Sequence, residues 1–280
     1  MYFKVSKKEF YNALSVASRA ISTFSPLPAF SGIKIDAKED CLILTGSDSD
    51  VSIQTKLTKS EECVLEIRDM GSIVIEAKYI LEIVRKIDAD EIEFEMIDGS
   101  LTKISGNTAE FRINGMRANE YPAIDFSKPK ECFALKEETL KKVILQTSFA
   151  TSDKETRPVL TGVNFHCEGN TLHCVATDSY RLAKKTIDIS ESLNFNITIP
   201  AKSLSEVVKT LEGEGEVEIA VNDKKAQFII HDTIVQTRLI DGVYPETSRL
   251  IPLQFDYELT IDSRDLLNAI DRASLSLIHI

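Results

Sequence analysis

Hydrophobic and polar positions recur with two different periods along this chain. Phe10, Leu14 and Ala17 have the spacing of one apolar face of a helix. Residues 32–44, GIKIDAKEDCLIL, instead alternate on either side of a polar turn, as two paired strands do. A short strand, a helix, a turn with Pro and Gly, and several more strands follow in that order, with a second helix among them. Because strands outnumber helices, the pattern predicts an α+β fold.

This order of elements occurs more than once because the sequence repeats. Residues 27–50 align without a gap with residues 157–180, at a constant offset of 130 residues. After a small deletion the similarity continues, since IEAKYILEIVRKI at 75–87 parallels IPAKSLSEVVKTL at 199–211. A third copy begins at 259–274 and stops after about one helix. The predicted domains are therefore 1–127, 128–253 and an incomplete 254–274, followed by a segment at 275–280 that matches no other repeat.

Basic residues are concentrated in the predicted helices, although the whole chain is acidic. A net charge of −11 by itself argues against nucleic acid as a partner. The four complete helices, predicted at 7–20, 78–88, 136–146 and 202–211, carry a net +5, which leaves −16 for the rest. One such helix is most simply a solvated face. Four in equivalent repeat positions are expected to line a common surface that attracts a polyanion without sequence specificity.

The stretch ATDSYRLA at 176–183 brings a hydroxyl, a carboxylate, a phenol and a guanidinium close together. It could be an active site, the rim of a binding pocket or the polar end of a strand. Catalysis would need a nucleophile, a base and an oxyanion donor that converge. No G-x-S-x-G, P-loop or H-E-x-x-H motif accompanies the stretch, which argues against an enzyme.

Two further motifs resemble metal sites. HCEGNTLHC contains His166, Cys167, His173 and Cys174, and SDSD at 47–50 resembles the start of a calcium loop. In a hairpin that turns at Gly169–Asn170, the two histidines would pair on one face while the cysteines point away, which favours a structural strand pair. SDSD lacks the following Gly and the distal Glu of a calcium loop. We therefore predict no metal and no cofactor.

The repeats, ATDSYRLA, the upstream RPVLTGVNF, AKSLSEVV and LIDGVYPETSRLIP together resemble the beta subunit of bacterial DNA polymerase III, the sliding-clamp family, from Met1 to about Ser274. The resemblance implies repeated clamp domains, each with two helices packed on antiparallel β-sheets. It implies a head-to-tail homodimer ring in the full-length protein, which encircles duplex DNA without sequence specificity. The expected role is that of a non-catalytic processivity factor, with the helices lining the hole.

The resemblance also implies partners. They are double-stranded DNA, the polymerase III alpha subunit, the clamp loader, other clamp-motif peptides and an exonuclease-containing holoenzyme. The basic residues expected to face DNA are Lys7, Lys8, Arg19, Lys78, Arg85, Lys86, Lys141, Lys142, Arg157, Lys202 and Lys209. The alternative is a degenerate or truncated clamp-like protein that binds partner peptides without encircling DNA.

In the family, the segment that matches ATDSYRLA edges a hydrophobic pocket between domains two and three, where short linear peptides bind. Carried over by position, the pocket residues are Leu160, Thr177, Ser179, Tyr180, Arg181, Leu182, Pro245, Arg249 and Leu250. An apolar pocket with a polar rim is the usual pattern of a binding hot spot. The first repeat has GSDSDVSI here, without Arg or Tyr, and is not expected to bind these peptides.

Cellular location follows from the apolar runs and the cysteines. The longest apolar runs are too short to span a membrane, and the first residues do not resemble a secretory signal. Five cysteines with no C-x-x-C spacing indicate buried, reduced thiols. We therefore expect a cytoplasmic protein without a membrane partner.

The segment at 275–280, LSLIHI, is the translation of a common transposase-adapter sequence used in DNA libraries. We expect it to be non-native and the third repeat to be truncated, so that the 280-residue chain cannot close a ring. Sequencing the source locus across codon 274 is expected to show an open frame that continues for about one repeat unit. A stop codon directly after LSLIHI would contradict this expectation.

Overall fold

The structure, a computed structural model, describes residues 1–22, 27–252 and 254–276. Its chain divides into two units, Met1–Tyr244 and Pro245–Ile280, which are described one at a time. The helices of the first unit are α1 (Lys7–Ser18), α2 (Ala77–Lys86), α3 (Glu137–Thr147) and α4 (Ala201–Thr210). Its strands are β1 (Tyr2–Ser6), β2 (Gly32–Ala37), β3 (Cys41–Ser47), β4 (Val51–Thr58), β5 (Leu65–Asp69), β6 (Gly71–Glu76), β7 (Glu91–Asp98), β8 (Leu101–Gly106), β9 (Ala109–Asn114), β10 (Met116–Arg117), β11 (Glu131–Lys136), β12 (Gly162–Thr177), β13 (Leu182–Pro200), β14 (Glu216–Val221), β15 (Lys225–Ile230) and β16 (Thr233–Arg238).

The predicted α+β class is confirmed, since each strand pairing in the described residues is antiparallel. One sheet has the order β5-β1-β7-β8-β9, and a larger sheet runs β10-β6-β2-β3-β4-β16-β15-β14-β11. The strands β12 and β13 form a third sheet. The buried face of α1, which includes Phe10, Leu14 and Ala17, has the predicted spacing and packs on β3 and β4.

The four helices lie close to their predicted positions, but each begins or ends one or two residues away. Lys136 directly precedes α3, Asp88 follows the end of α2, and Arg19 caps α1. With these bounds the helices carry a net charge of +4 and not the predicted +5. The physical reason is backbone conformation, since Lys136 before α3 and Ile87 after α2 are already extended and leave Lys136 and Asp88 outside the helices.

The sequence repeat corresponds to a structural repeat in fine detail. Each copy has a short 3₁₀ helix that begins with a proline, at Pro28–Ser31 and at Pro158–Thr161. In both, the last hydroxyl donates to the proline carbonyl over 2.7 Å. Ser49 and Ser179 both have a positive φ, 87° and 77°. The same backbone strain at equivalent positions shows that the two copies fold by the same local rules.

The chain reverses direction within β12, as the hairpin prediction requires. The ring centroids of His166 and His173 lie 6.5 Å apart, whereas a straight strand would separate them by about 23 Å. Gly169 has a φ of +62° at the predicted turn. The first part of β12 pairs with the end of β13, and the second part of β12 pairs with the start of β13. The two elements therefore form four antiparallel segments.

The two repeats share one sheet, and the first repeat adds residues to the core of the second. Strand β4 of the first repeat pairs with β16 of the second, with Ile53 opposite Val235. Both side chains are fully buried and belong to the same hydrophobic cluster as Phe133 at the start of the second repeat. The hydroxyls of Thr55 and Thr233 lie 2.9 Å apart across this junction. The first repeat therefore contributes a strand to the core of the second.

The helices also meet across the junction. Helix α1 packs on α2, and α3 packs on α4. The guanidinium of Arg19, at the end of α1, donates to the carbonyl of Lys209 near the end of α4 over 2.7 Å. The pair α1–α2 and the pair α3–α4 are thus linked at the ends of α1 and α4. That all four helices line a common surface stays a prediction of the repeat.

The second unit contains a 3₁₀ helix at Ser248–Leu250 and a helix α5 at Ser263–Ser276. Helix α5 is the helix expected from the third copy of the repeat, and that expectation is confirmed. Of the predicted non-native segment 275–280, residues 277–280 lie outside the described residues. No described helix combines the length and the apolar character needed to cross a membrane.

Replacing Ile53 with alanine tests the shared core. We expect the free energy of unfolding to fall by about 2–5 kcal/mol, because a fully buried side chain is removed at the junction. Urea denaturation measures this change. The control is Lys56→Ala on the exposed side of the same strand, which should change stability by no more than about 0.5 kcal/mol. A loss below about 1 kcal/mol for Ile53→Ala would contradict a shared core.

Candidate functional site

The turn at 177–181 is closed by its own side chains. The Asp178 Oδ1 atom accepts hydrogen bonds from the backbone N–H groups of Tyr180 and Arg181, each over 2.9 Å. The Thr177 hydroxyl donates to the Arg181 carbonyl over 2.7 Å and accepts the Ser179 N–H over 3.1 Å. Such bonds are why Asp and Thr favour turns over continued strands. The stretch is therefore the polar end of a strand that presents an ordered turn.

The first repeat makes the same turn with different side chains. Asp48 Oδ1 accepts the N–H groups of Asp50 and Val51 over 3.0 and 2.8 Å. The Ser47 hydroxyl donates to the Val51 carbonyl over 3.0 Å. Backbone geometry is thus common to both repeats, and the chemistry that differs lies in the side chains at the two last positions of the turn.

In the second repeat these positions expose an aromatic ring and a cation. Tyr180 is 94% exposed. The Arg181 guanidinium is held by Asp178, with 2.9 Å between Nε and Oδ2, and lies 5.7 Å from the ring centroid of Phe149. Phe149 itself is 58% exposed. A fixed guanidinium beside two exposed rings suits both apolar and polar contacts of a partner chain.

Phe149 was missed by the sequence prediction. It lies in the 3₁₀ turn Ser148–Ala150 that follows α3 and packs on β12. The sequence repeat could have pointed to this residue, because Phe149 aligns with Arg19. Arg19 bonds to Lys209 of the neighbouring repeat, and a phenylalanine cannot make that bond. An exposed aromatic ring in place of a junction-forming arginine indicates a different use of the same position.

Leu160 and Leu182 are the two apolar residues that the sequence predicts for this part of the pocket. Leu160 is buried in the 3₁₀ helix that packs on β12, and its carbonyl accepts the Ser152 N–H over 2.8 Å. Leu182 begins β13 opposite Thr177 and is partly buried. Of the six predicted pocket residues in the first unit, five therefore lie in the turn or directly after it, while Leu160 lies on another element that contacts β12.

The Tyr244 hydroxyl is a further contact that the sequence did not reveal. It accepts a hydrogen bond from the backbone N–H of Thr177 over 3.0 Å, across 67 residues of sequence. Burial raises the pKa of Tyr244, and the Thr177 hydrogen bond opposes that shift. The turn is thereby fixed to the segment DGVYP.

The other three predicted pocket residues belong to the second unit. Pro245 begins that unit, while Arg249 and Leu250 lie in its 3₁₀ helix. All three side chains are exposed, with Leu250 at 64%.

Most helix cations are exposed, and several are paired within their own helix. The nitrogen–oxygen distances are 2.8 Å for Arg85–Glu82, 3.1 Å for Lys86–Glu82, 2.6 Å for Lys142–Glu138 and 2.7 Å for Lys209–Glu206. Exposed pairs of this kind contribute little and open readily, so these cations stay available to an anion.

Glu137 is not exposed on this surface. It is fully buried in the first turn of α3, and its Oε2 atom accepts the Gly213 N–H over 2.6 Å. The exposed ionic side chains of α3 are therefore Glu138, Lys141 and Lys142.

Other predicted DNA-facing residues differ in placement. Lys78, Lys141 and Lys202 are exposed and have no acidic partner among the described residues. The Lys7 amine donates to the Ile87 carbonyl, and Lys8 lies 3.6 Å from Glu9. Arg157 is exposed but outside the helices, directly before the 3₁₀ helix of the second repeat.

The metal-like motif forms a strand pair. His166 contacts Glu168 and His173 contacts Thr186, each over 2.9 Å, while Cys167 and Cys174 are fully buried. Across residues 1–22, 27–252 and 254–276, no cluster of three or more His, Cys, Asp or Glu is arranged to hold a metal ion. The five thiols are free, but Cys132 is only partly buried, because it lies near the edge of its sheet on β11.

Comparison with known proteins identifies the family. Residues 1–125 match the DNA polymerase III beta subunit, N-terminal domain, and residues 134–246 match its central domain. The chain is 39% identical over 280 residues to the beta sliding clamp of Bacillus subtilis, covering 98% of this chain and 74% of that one. The chain belongs to the DNA polymerase III beta subunit family.

Solved structures agree with this assignment. The DNA polymerase sliding clamp from Bacillus subtilis superposes with a TM-score of 0.95 at 37% identity, covering 98% of this chain and 74% of that one. The beta subunit from Streptococcus pyogenes gives 0.93 at 30% identity with the same coverage. As a beta sliding clamp, the chain is a DNA polymerase processivity factor and, by family identity, a non-catalytic subunit.

The titration of Asp178 tests the turn geometry in this sliding clamp. The two backbone N–H donors, followed by Arg181, hold the pKa of Asp178 below its ordinary 3.8. The ionised carboxylate therefore stabilises the turn fully at pH values above 3.8. This stabilisation is lost as the pH falls through the lower pKa that Asp178 has in the folded protein. Carboxyl carbon NMR should show a pKa below 3.8, which largely persists in Arg181→Ala because the backbone donors remain. A value at or above 3.8 would show that the turn is open.

Proposed function

We propose that this chain works as a sliding clamp that encircles duplex DNA and tethers the polymerase and other partners to it. The observation that carries the proposal is that the four helices, paired α1–α2 and α3–α4 and linked through Arg19, together carry a net charge of +4 in a protein whose net charge is −11. We propose that they form one helix layer, which attracts the phosphate backbone while the acidic remainder repels it. No base contact is needed, which suits a protein that moves along DNA.

Encirclement is supported by the way the repeats join. Strand β4 of one repeat pairs with β16 of the next, and this junction can recur. The counterpart of β4 is the first part of β13, and the counterpart of β16 is β9; each has a free sheet edge within the described residues. Head-to-tail addition at these edges leads to a closed ring if the rotation closes. We propose domains at 1–127 and 128–253, a third that starts at 254–274, and a homodimer of full-length chains.

Tethering is assigned to the turn at 177–181 and its neighbours. Leu160 and Leu182 supply apolar walls, while Thr177, Ser179 and Arg181 supply polar contacts beside the exposed ring of Tyr180. Pro245, Arg249 and Leu250, which the sequence also assigns to this site, belong to the second unit, and their role stays a prediction. The ligands of the site are short peptides of the polymerase III alpha subunit, the clamp loader and other partners. The residues act by binding, and no catalytic role is assigned to them.

Charge reversal on the helices tests the DNA-facing surface. The variant carries Lys78→Glu, Lys141→Glu and Lys202→Glu, three exposed positions on α2, α3 and α4. We expect weak, sequence-independent binding of the parent chain to a duplex of about 40 base pairs, with affinity that falls as salt rises. The variant should bind at least about tenfold more weakly and with a shallower salt dependence, as measured by fluorescence anisotropy.

The control has the same net charge but changes lysines outside the helices. It carries Lys38→Glu, Lys59→Glu and Lys130→Glu, all exposed. Equal weakening in both variants would show that net charge, and not the helix layer, governs binding. Encirclement itself requires that the full-length gene product, loaded onto a circular plasmid, stays bound during gel filtration and is released when the plasmid is linearised. Loss from the circle as fast as from the linear form would contradict a ring.

A further inference from the structure

The turn at 177–181 depends on one hydrogen bond to a distant segment. Within the turn, Thr177, Asp178 and Arg181 bond to one another and fix its internal shape. The Thr177 N–H instead donates to the Tyr244 hydroxyl over 3.0 Å. Thr177 is only 6% exposed, so water does not readily replace this acceptor. The paired ends of β12 and β13 hold the turn at both sides, and Tyr244 adds a hydrogen bond from outside it.

The first repeat provides a natural comparison for this bond. Tyr121 stands at the position of Tyr244, in ANEYP as against DGVYP. It is 6% exposed and packs edge-on against Phe30 at a centroid distance of 5.3 Å. Its hydroxyl has no hydrogen-bond partner among the described residues. The tyrosine is thus common to both repeats, but only the second repeat uses its hydroxyl to hold the turn.

We propose that Tyr244 is a positioning residue of the peptide-binding site, which holds the Thr177–Arg181 turn in its binding geometry through the Thr177 N–H. This inference rests on the proposed tethering function. Tyr244 directly precedes Pro245 in sequence, so the same short segment carries a proposed pocket residue and the anchor of the turn. A preformed site loses less conformational entropy on binding, which is how a residue that does not touch the peptide raises affinity.

The test compares Tyr244→Phe with Tyr121→Phe in the whole chain. Both changes remove one hydroxyl from equivalent tyrosines, and both keep the ring. The probe is a fluorescein-labelled peptide of about ten residues with two apolar anchor residues, one of them aromatic, and a polar residue beside them. We expect Tyr244→Phe to weaken peptide binding by about three- to tenfold and Tyr121→Phe to leave it unchanged.

Amide hydrogen exchange by NMR separates positioning from general destabilisation. In Tyr244→Phe, exchange should accelerate at the Thr177 amide and the turn, while the amides of the first repeat keep the parent rates. A general structural role would accelerate exchange throughout the second repeat. Such a result would overturn the inference, as would parent-like exchange at Thr177.

Peptide binding separates the positioning role of Tyr244 from the existence of the proposed peptide site. If the parent chain binds the peptide and Tyr244→Phe binds it equally well, the positioning role alone is wrong. If the parent binds no peptide, while an Arg181→Ala variant behaves identically, the proposed site fails and the positioning role fails with it. Weaker binding confined to Tyr244→Phe, together with local exchange at Thr177, supports both.

Discussion

The pairing of β4 with β16 is the interaction on which the rest of the first unit depends. It joins two copies of one fold into a nine-stranded sheet and places Ile53 of one copy in the core of the other. The buried face of β4 fixes the register of this pairing, because a slip by one residue would turn its buried side chains toward solvent. At the same junction, Arg19 after α1 bonds to Lys209 near the end of α4 and so links the helices of the two repeats. The proposed DNA surface is a consequence of this strand pairing.

Duplication explains how one backbone supports two uses. Both repeats build the same aspartate-capped turn, with the same positive φ at its serine. In the first repeat the turn bears Asp50 and Val51, and in the second it bears Tyr180 and Arg181. The exposed ring, the guanidinium and the nearby Phe149 then form a surface that a core-forming residue would not present. Backbone geometry was retained while binding chemistry changed in the side chains.

Positive charge in this acidic protein is concentrated in the four helices of the first unit. The helices carry a modest excess of positive charge, while the rest of the chain is acidic. Acidic partners such as Glu82 hold their lysine and arginine neighbours only through exposed contacts, which a phosphate can replace. Membership of the beta subunit family rests on independent sequence and structural similarity.

Local spacing in the sequence determined the helices, the hairpins and the closed turn, because each depends on residues only a few positions apart. The helical face of Phe10 and Leu14 and the cap at Asp178 are of this kind. The repeat was also legible in the sequence, as a similarity at a constant offset of 130 residues. Tertiary structure decided which strands meet across the repeats, that Glu137 is buried, and that Tyr244 rather than Tyr121 has a hydrogen-bond donor for its hydroxyl. These contacts join residues tens to hundreds of positions apart. Their energy depends on packing and on exclusion of water, which no local pattern encodes.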